Sequence, residues 1–217
     1  MSKLIDLSHT VEHGMITYKG LPAPVISDHL SREESRTRYA PGTEFHIGKI
    51  EMVANTGTYL DSPFHRYARG KDLAGLDLNS IANLDGIVVR CLEQTEIDEQ
   101  VFSGIDVKGK AVLVHTGWDG NWRTERYSHG HPYLTGDAAD WLAGHGAMLV
   151  GIDSYNIDDT SKRTRPVHSR LLAADIPICE HLTALASLIE QDFRFSAVPP
   201  KVRGMGTFPV RAYAIFC

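Results

Sequence analysis

Asn55-Thr56-Gly57-Thr58-Tyr59-Leu60-Asp61-Ser62-Pro63-Phe64-His65 is the stretch that decides how this 217-residue chain is read. Asp61 and His65 stand four residues apart, Pro63 between them prevents a regular helix, and Gly57 permits a tight backbone. The segment therefore reads as a rigid loop presenting polar groups. Metal-assisted hydrolysis needs hard or borderline ligands that hold a divalent ion and leave one position open for water, whose pKa then falls towards neutrality. An aspartate and a histidine are two such ligands, too few on their own.

Outward from the motif, strands and helices seem to alternate. Residues 46–54 read as a strand feeding straight into it. Residues 27–43, which carry Arg32, Glu33, Glu34, Arg36 and Arg38, read as an exposed loop, with an arm reaching a neighbouring subunit as the alternative. Residues 86–91, 110–115 and 149–152 are short β-rich runs bounded by Gly or charge. Between the last two, residues 135–144 have a capping Thr, acidic residues in the first turn and a terminal Gly, the marks of a short helix. Strand, helix, strand implies a right-handed parallel crossover.

The polar residues that follow these strands, 115–118 and 153–155, are expected at the carboxyl edge of the sheet, where ligands bind. Trp118 packing on the core and Asp153 capping a turn are equally good readings. Further on, residues 176–179 suggest a strand and 181–190 have helical spacing, which places Glu180 at a strand-to-helix junction. Residues 209–216 alternate like a closing strand. The chain reads as a single mixed α/β domain over residues 1–217.

Composition narrows the function classes. A 42% hydrophobic content suits a globular fold, and a net charge of -5 offers no broad basic field for a phosphate backbone, so no nucleic-acid partner is expected. Neither a membrane span nor a secretion signal is evident, which makes a cytoplasmic protein the default. The three cysteines, Cys91, Cys179 and Cys217, lack C-x-x-C spacing and read as buried thiols. Eleven histidines raise the prospect of a metal site without locating it.

The motif resembles one in the cyclase family of hydrolases, which includes bacterial kynurenine formamidases and isatin hydrolases, where the pattern reads H-x-G-T-H-x-D-x-P-x-H. Gly57, Thr58, Asp61, Pro63 and His65 match. The similarity extends over residues 6–9, 114–118, 151–154, 165–172, 176–182 and 201–211, nearly the whole chain. It implies a swivelling β/β/α architecture, a mixed sheet with peripheral helices, and a homodimer or larger homo-oligomer. In such hydrolases two metals share the site. The resemblance makes Asp61, His168 and Glu180 metal ligands and His65 the acid or base, also near enough to be a fourth ligand. It implies a small amide, lactam or ester as substrate, with N-formylkynurenine of tryptophan catabolism the best-known case.

The departures are Asn55 and Tyr59, which occupy the positions of the two leading histidines. A neutral amide is a weak oxygen donor, and a phenol must lose a proton from a pKa of about 10 before it binds a metal strongly. The first metal position is therefore expected to be lost, leaving at most one divalent ion, Zn or Mn, on Asp61, His168 and Glu180. Tyr59 and Asn55 are then candidate catalytic dipoles beside His65, stabilising a developing oxyanion. Tyr18, Phe64 and Trp118 are candidate substrate-binding walls. Two other readings stand beside the hydrolase: a non-catalytic small-molecule binding protein on the same scaffold, and a metal-independent lyase or isomerase using His65 and Tyr59.

Overall fold

The apolar runs of the sequence become the middle of one large mixed sheet. The structure is a computed structural model, which describes residues 3–188 and 192–216. In chain order its elements are β1 (Leu4–Asp6), β2 (Val25–Leu30), α1 (Arg32–Arg36), β3 (Ile47–Glu51), β4 (Tyr59–Asp61), β5 (Leu84–Arg90), β6 (Glu96–Ile97) and β7 (Ala111–His115). They continue with β8 (Tyr133–Leu134), α2 (Gly136–Gly144), β9 (Leu149–Ile152), α3 (Pro166–Ala173), β10 (Ile178–Glu180), β11 (Phe193–Ser196), β12 (Thr207–Pro209) and β13 (Tyr213–Phe216). Nine strands form the main sheet in the order β1-β13-β11-β5-β7-β9-β10-β4-β12.

β5, β7, β9 and β10 run parallel, and antiparallel strands extend both ends. Every residue of β7 and β9 is buried, as a strand covered on both faces requires. Successive side chains point to opposite faces. Val112 and Val114 pack with Ala138, Ala139 and Leu142 of α2 and Val167 and Leu171 of α3. Ala111 and Leu113 join Leu60, Cys179, Leu182 and Phe195 in a second core on the other face.

Chain length forces the sheet to curl around that second core. Its outermost strands would lie roughly 38 Å apart in a flat sheet. Yet β12, on one edge, is followed by β13, next to the other edge, after only Val210, Arg211 and Ala212, which reach roughly 15 Å. The crossover is anchored where Val210 N donates to Thr58 O and Leu7 N donates to Ala212 O, both at 2.9 Å. Residues 209–216 thus form parts of two strands rather than one.

Two other segments differ from their sequence reading. The helix expected at 181–190 does not form over the described residues: His181 and Ala184 take positive φ of 56° and 57°, and only a single 3-10 turn, Leu185–Leu188, follows. Asp119 stabilises this path by accepting from Thr183 Oγ1 and Ala184 N. Residues 189–190 lie outside the described residues, as does Cys217, whereas Cys91 and Cys179 are buried.

Upstream of the motif, β3 pairs only with β2, as a ribbon separate from the main sheet. The charged stretch between β2 and β3 is not loop throughout, because a capping box between Ser31 and Glu34 starts α1. No helix among the described residues is long and apolar enough to cross a membrane.

Gly206 is where the sheet edge touches the motif. Its carbonyl accepts from Ser62 N at 2.7 Å, and an added Cβ would stand 2.4 Å from His65 N and 2.5 Å from His65 Cα. Backbone cannot yield as a flexible side chain does. Gly206→Ala is expected to cost about 2 kcal/mol or more in urea unfolding, whereas Gly120→Ala, with nothing within 4 Å, is expected to stay within about 0.5 kcal/mol.

Candidate active site

Three neighbouring strands assemble the polar groups by register. In β4, Tyr59 and Asp61 are two residues apart and share a face, while Leu60 points into the core. Tyr59 lies opposite Glu180 of β10, and Asp61 lies opposite Thr207 of β12. The pairs are bonded accordingly: Tyr59 O–H donates to Glu180 Oε2 at 2.6 Å, and Thr207 O–H donates to Asp61 Oδ1. Gly57, at φ +66°, carries the turn into β4, and Thr58 Oγ1 ties that turn to His181 O at 2.5 Å.

His168 comes from the first turn of α3. Asp158 caps that helix, accepting from Val167 N at 2.7 Å and His168 N at 3.0 Å, and also pairs with His168 Nδ1 at 2.6 Å. The same carboxylate therefore starts the helix and aims the ring. His168 Nε2 faces Asp61 Oδ2 at 3.6 Å and Glu180 Oε1 at 3.8 Å. His65 follows the 3-10 turn Pro63–His65, and its Nδ1 lies 2.7 Å from Thr207 Oγ1. Since the single Thr207 proton goes to Asp61, His65 Nδ1 carries a proton, and in the neutral ring Nε2 keeps the lone pair.

The electrostatics follow from burial. Asp61 and Glu180 are almost wholly buried. Burial pushes the Glu180 carboxyl up, opposed mainly by His168. Burial also disfavours a charge on His168, but Glu180, Asp158 and Asp61 outweigh it and raise its pKa to about 10 in the metal-free chain. Burial, then the charges of Glu180 and Asp61, drive the Tyr59 phenol well above 10, against a hydrogen bond from Asn55. Tyr59 is thus a neutral donor whose one proton is committed to Glu180.

The residues fit a single divalent cation. Asp61 Oδ2 is buried with no hydrogen-bond partner and is faced, in the metal-free chain, by the protonated His168 ring at 3.6 Å, a charge that a divalent ion would replace. Asp61, His65 and His168 each bring a ligand atom within 4.8 Å of the others. Glu180 stands beside them, with Oε1 also accepting from Ile157 N at 2.7 Å. On the Asn55 side stand a neutral amide and a phenol whose proton is committed to Glu180, which leaves a poor seat for a second ion.

A cavity of about 270 Å³ opens onto this cluster, lined by Asn55, Tyr59, His65, His168 and Glu180 together with Tyr18, Leu21, Asn156, Arg66 and Arg165. Tyr18 forms an aromatic wall stacked on Tyr155, with ring centroids 4.5 Å apart. Trp118 and Phe64 do not line it. Trp118 Nε1 donates to Tyr127 O at 2.9 Å, with Arg126 over its ring, and Phe64 is half-buried beside the motif. The 115–118 and 153–155 segments meet each other instead, where Asp153 accepts from Thr116 N, Thr116 Oγ1 and Gly117 N.

Sequence reasoning passed over Asp158, Thr207, Asn156, Arg66 and Arg165. An acid shortly before a Pro-initiated helix was the available signal for Asp158. Thr207 lay within the matched 201–211 segment, without any mark of its role.

The Cyclase family model matches residues 5–159 of this sequence. The chain belongs to the cyclase family. It is 32% identical over 181 residues to a kynurenine formamidase of Geobacillus thermodenitrificans (strain NG80-2), covering 82% of this chain and 84% of the relative. A structure described as a potential metal-dependent hydrolase with cyclase activity superposes with a TM-score of 0.81 at 23% identity, covering 100% and 99% of the two chains. Isatin hydrolase A from Labrenzia aggregata gives a TM-score of 0.81 at 17% identity, with 99% and 94% coverage. These two likenesses establish the cyclase fold, a curled mixed sheet with few helices.

Two outcomes test the geometry of this cyclase-family site. Asp158→Ala is expected to weaken Zn or Mn binding about 10- to 100-fold, measured by competition with a chelating dye. A metal takes the neutral imidazole, so binding displaces the proton that His168 holds below its raised pKa of about 10. Affinity is therefore expected to rise about tenfold per unit from about pH 6 to about pH 8, and a flat profile would show that His168 is not a ligand.

Proposed function

We propose that this cyclase-family chain is a hydrolase of a small aryl amide, of formamide or lactam type, assisted by one divalent ion on Asp61, His168 and Glu180. The observation that carries the reading is the buried Asp61 Oδ2, without a hydrogen-bond donor, facing the Nε2 of His168, which lines an aromatic-walled cavity. The kynurenine formamidase and isatin hydrolase relatives support a substrate of this kind. Both buried carboxylates point towards His168 Nε2, whereas His65 is the exposed member of the cluster. That division favours His65 as the proton carrier over a fourth ligand.

A divalent ion at this position supplies Lewis acidity, polarising a carbonyl and lowering the pKa of water beside it. The protein's own groups do the rest. Thr207 and Asp61 hold His65 with its Nε2 lone pair free, so His65 takes a proton from the attacking water and returns it to the departing nitrogen. Tyr59 orients Glu180 rather than the substrate, because its only proton is already used. Asn55 lines the cavity, and its amide offers hydrogens that would donate to the substrate carbonyl. Tyr18 offers its face to an aromatic ring.

Formanilide hydrolysis tests the reading. Activity is expected to vanish on chelation and return with Zn or Mn. His65→Ala is expected to lower kcat at least about 100-fold while keeping bound metal. Undiminished turnover in chelator or in His65→Ala would overturn the mechanism.

A further inference from the structure

The residue directly after Glu180 is held in a conformation that its side chain disfavours. His181 has φ of +56°, uncommon for a residue with a Cβ, and it is wholly buried. Its Nδ1 is hydrogen-bonded to the Tyr127 hydroxyl at 2.9 Å, but its Nε2 is buried without a partner. Both features are unfavourable, and a strained residue persists only where its surroundings impose it. The turn alone does not call for an imidazole. Asp119 already fixes the chain at Thr183 and Ala184, and Gly or Asn would take the left-handed conformation with less strain. Nor does His181 line the cavity, so it meets no substrate there.

What His181 touches is the segment that carries the partner of Glu180. Its carbonyl accepts from Thr58 Oγ1 at 2.5 Å, and Thr58 Oγ1 accepts from His9 N at 3.0 Å. Its ring packs against the Tyr59 ring, with centroids 5.1 Å apart. Tyr59 and Glu180 lie opposite each other in the sheet, so the residue after Glu180 grips both Thr58 and Tyr59. The imidazole is backed by Trp122 and Tyr155, at 5.7 and 6.0 Å, and by Tyr127, whose carbonyl accepts from Trp118 Nε1. We propose that His181 is a positioning residue, which clamps Tyr59 from outside the cavity so that the phenol keeps its 2.6 Å hydrogen bond to Glu180 and the carboxylate keeps one orientation. Loosening the imidazole therefore loosens the Glu180 carboxylate through Tyr59. The consequence for a bound ion rests on the hydrolase reading; the clamp itself does not.

A double-mutant cycle separates this role from a general contribution to folding. Tyr59→Phe removes the hydroxyl but leaves the ring that His181 packs against, so coupling between the two changes reports on the hydrogen bond to Glu180. His181→Asn tolerates the left-handed conformation and removes the imidazole. By competition with a chelating dye, it is expected to weaken Zn binding at least about tenfold in the natural sequence and less than about twofold in Tyr59→Phe. In the metal-free chain the same pair is expected to be non-additive in urea unfolding, by at least about threefold in the equilibrium constant. Should His181→Asn not fold, Tyr127→Phe, which only frees the imidazole, goes through the same cycle, with an expected loss of about three- to fivefold that again vanishes in Tyr59→Phe. Equal losses in both backgrounds, or none in either, would overturn the inference. If the natural sequence binds no Zn, the single-ion reading fails while the unfolding cycle still decides the clamp, and additivity there would overturn it.

Discussion

Two carboxylates, Asp61 and Glu180, are buried side by side under the cavity, and the rest of the site is organised around making that tolerable. Unpaired, each charge would cost several kcal/mol. Thr207, Tyr59, Asn156 and the Ile157 amide contribute hydrogen bonds, and His168 contributes a ring aimed by Asp158. Only Asp61 Oδ2 is left without a donor. Its facing charge in the metal-free chain is the His168 ring, and the proposed divalent ion would take that place.

The same constraint gives meaning to Asn55 and Tyr59. A tyrosine that donates to Glu180 supplies a dipole where two histidines would invite a cation, and the burial that raises its pKa ensures that it stays neutral. Two arginines, Arg66 and Arg165, line the cavity wall beside the carboxylate and histidine cluster.

Much of this was legible in the sequence, and the rest fails for identifiable reasons. Short β-rich runs bounded by Gly or charge located β5, β7 and β9, and the Thr135 cap located α2, because both signals are local. The split at Val210–Ala212 was hidden, since only closure of the curled sheet, a non-local demand, reassigns those residues. The helix expected after Glu180 lost to left-handed conformations at His181 and Ala184, fixed by contacts with Asp119 more than 60 positions away. Asp61, His168 and Glu180 were found by resemblance, whereas Asp158 acts through contacts that spacing does not encode. Trp118 was an attractive wall by residue type, but its indole N–H is spent on Tyr127.

Metal equivalents per chain, measured by elemental mass spectrometry after reconstitution, bear most directly on this site. The natural sequence should hold about one divalent ion, and the double variant Asn55→His with Tyr59→His should hold about two, since imidazoles there free Glu180 from the phenol and restore a donor set. Two tightly held ions in the natural sequence would contradict the assignment of Asn55 and Tyr59 as the neutral half of the site.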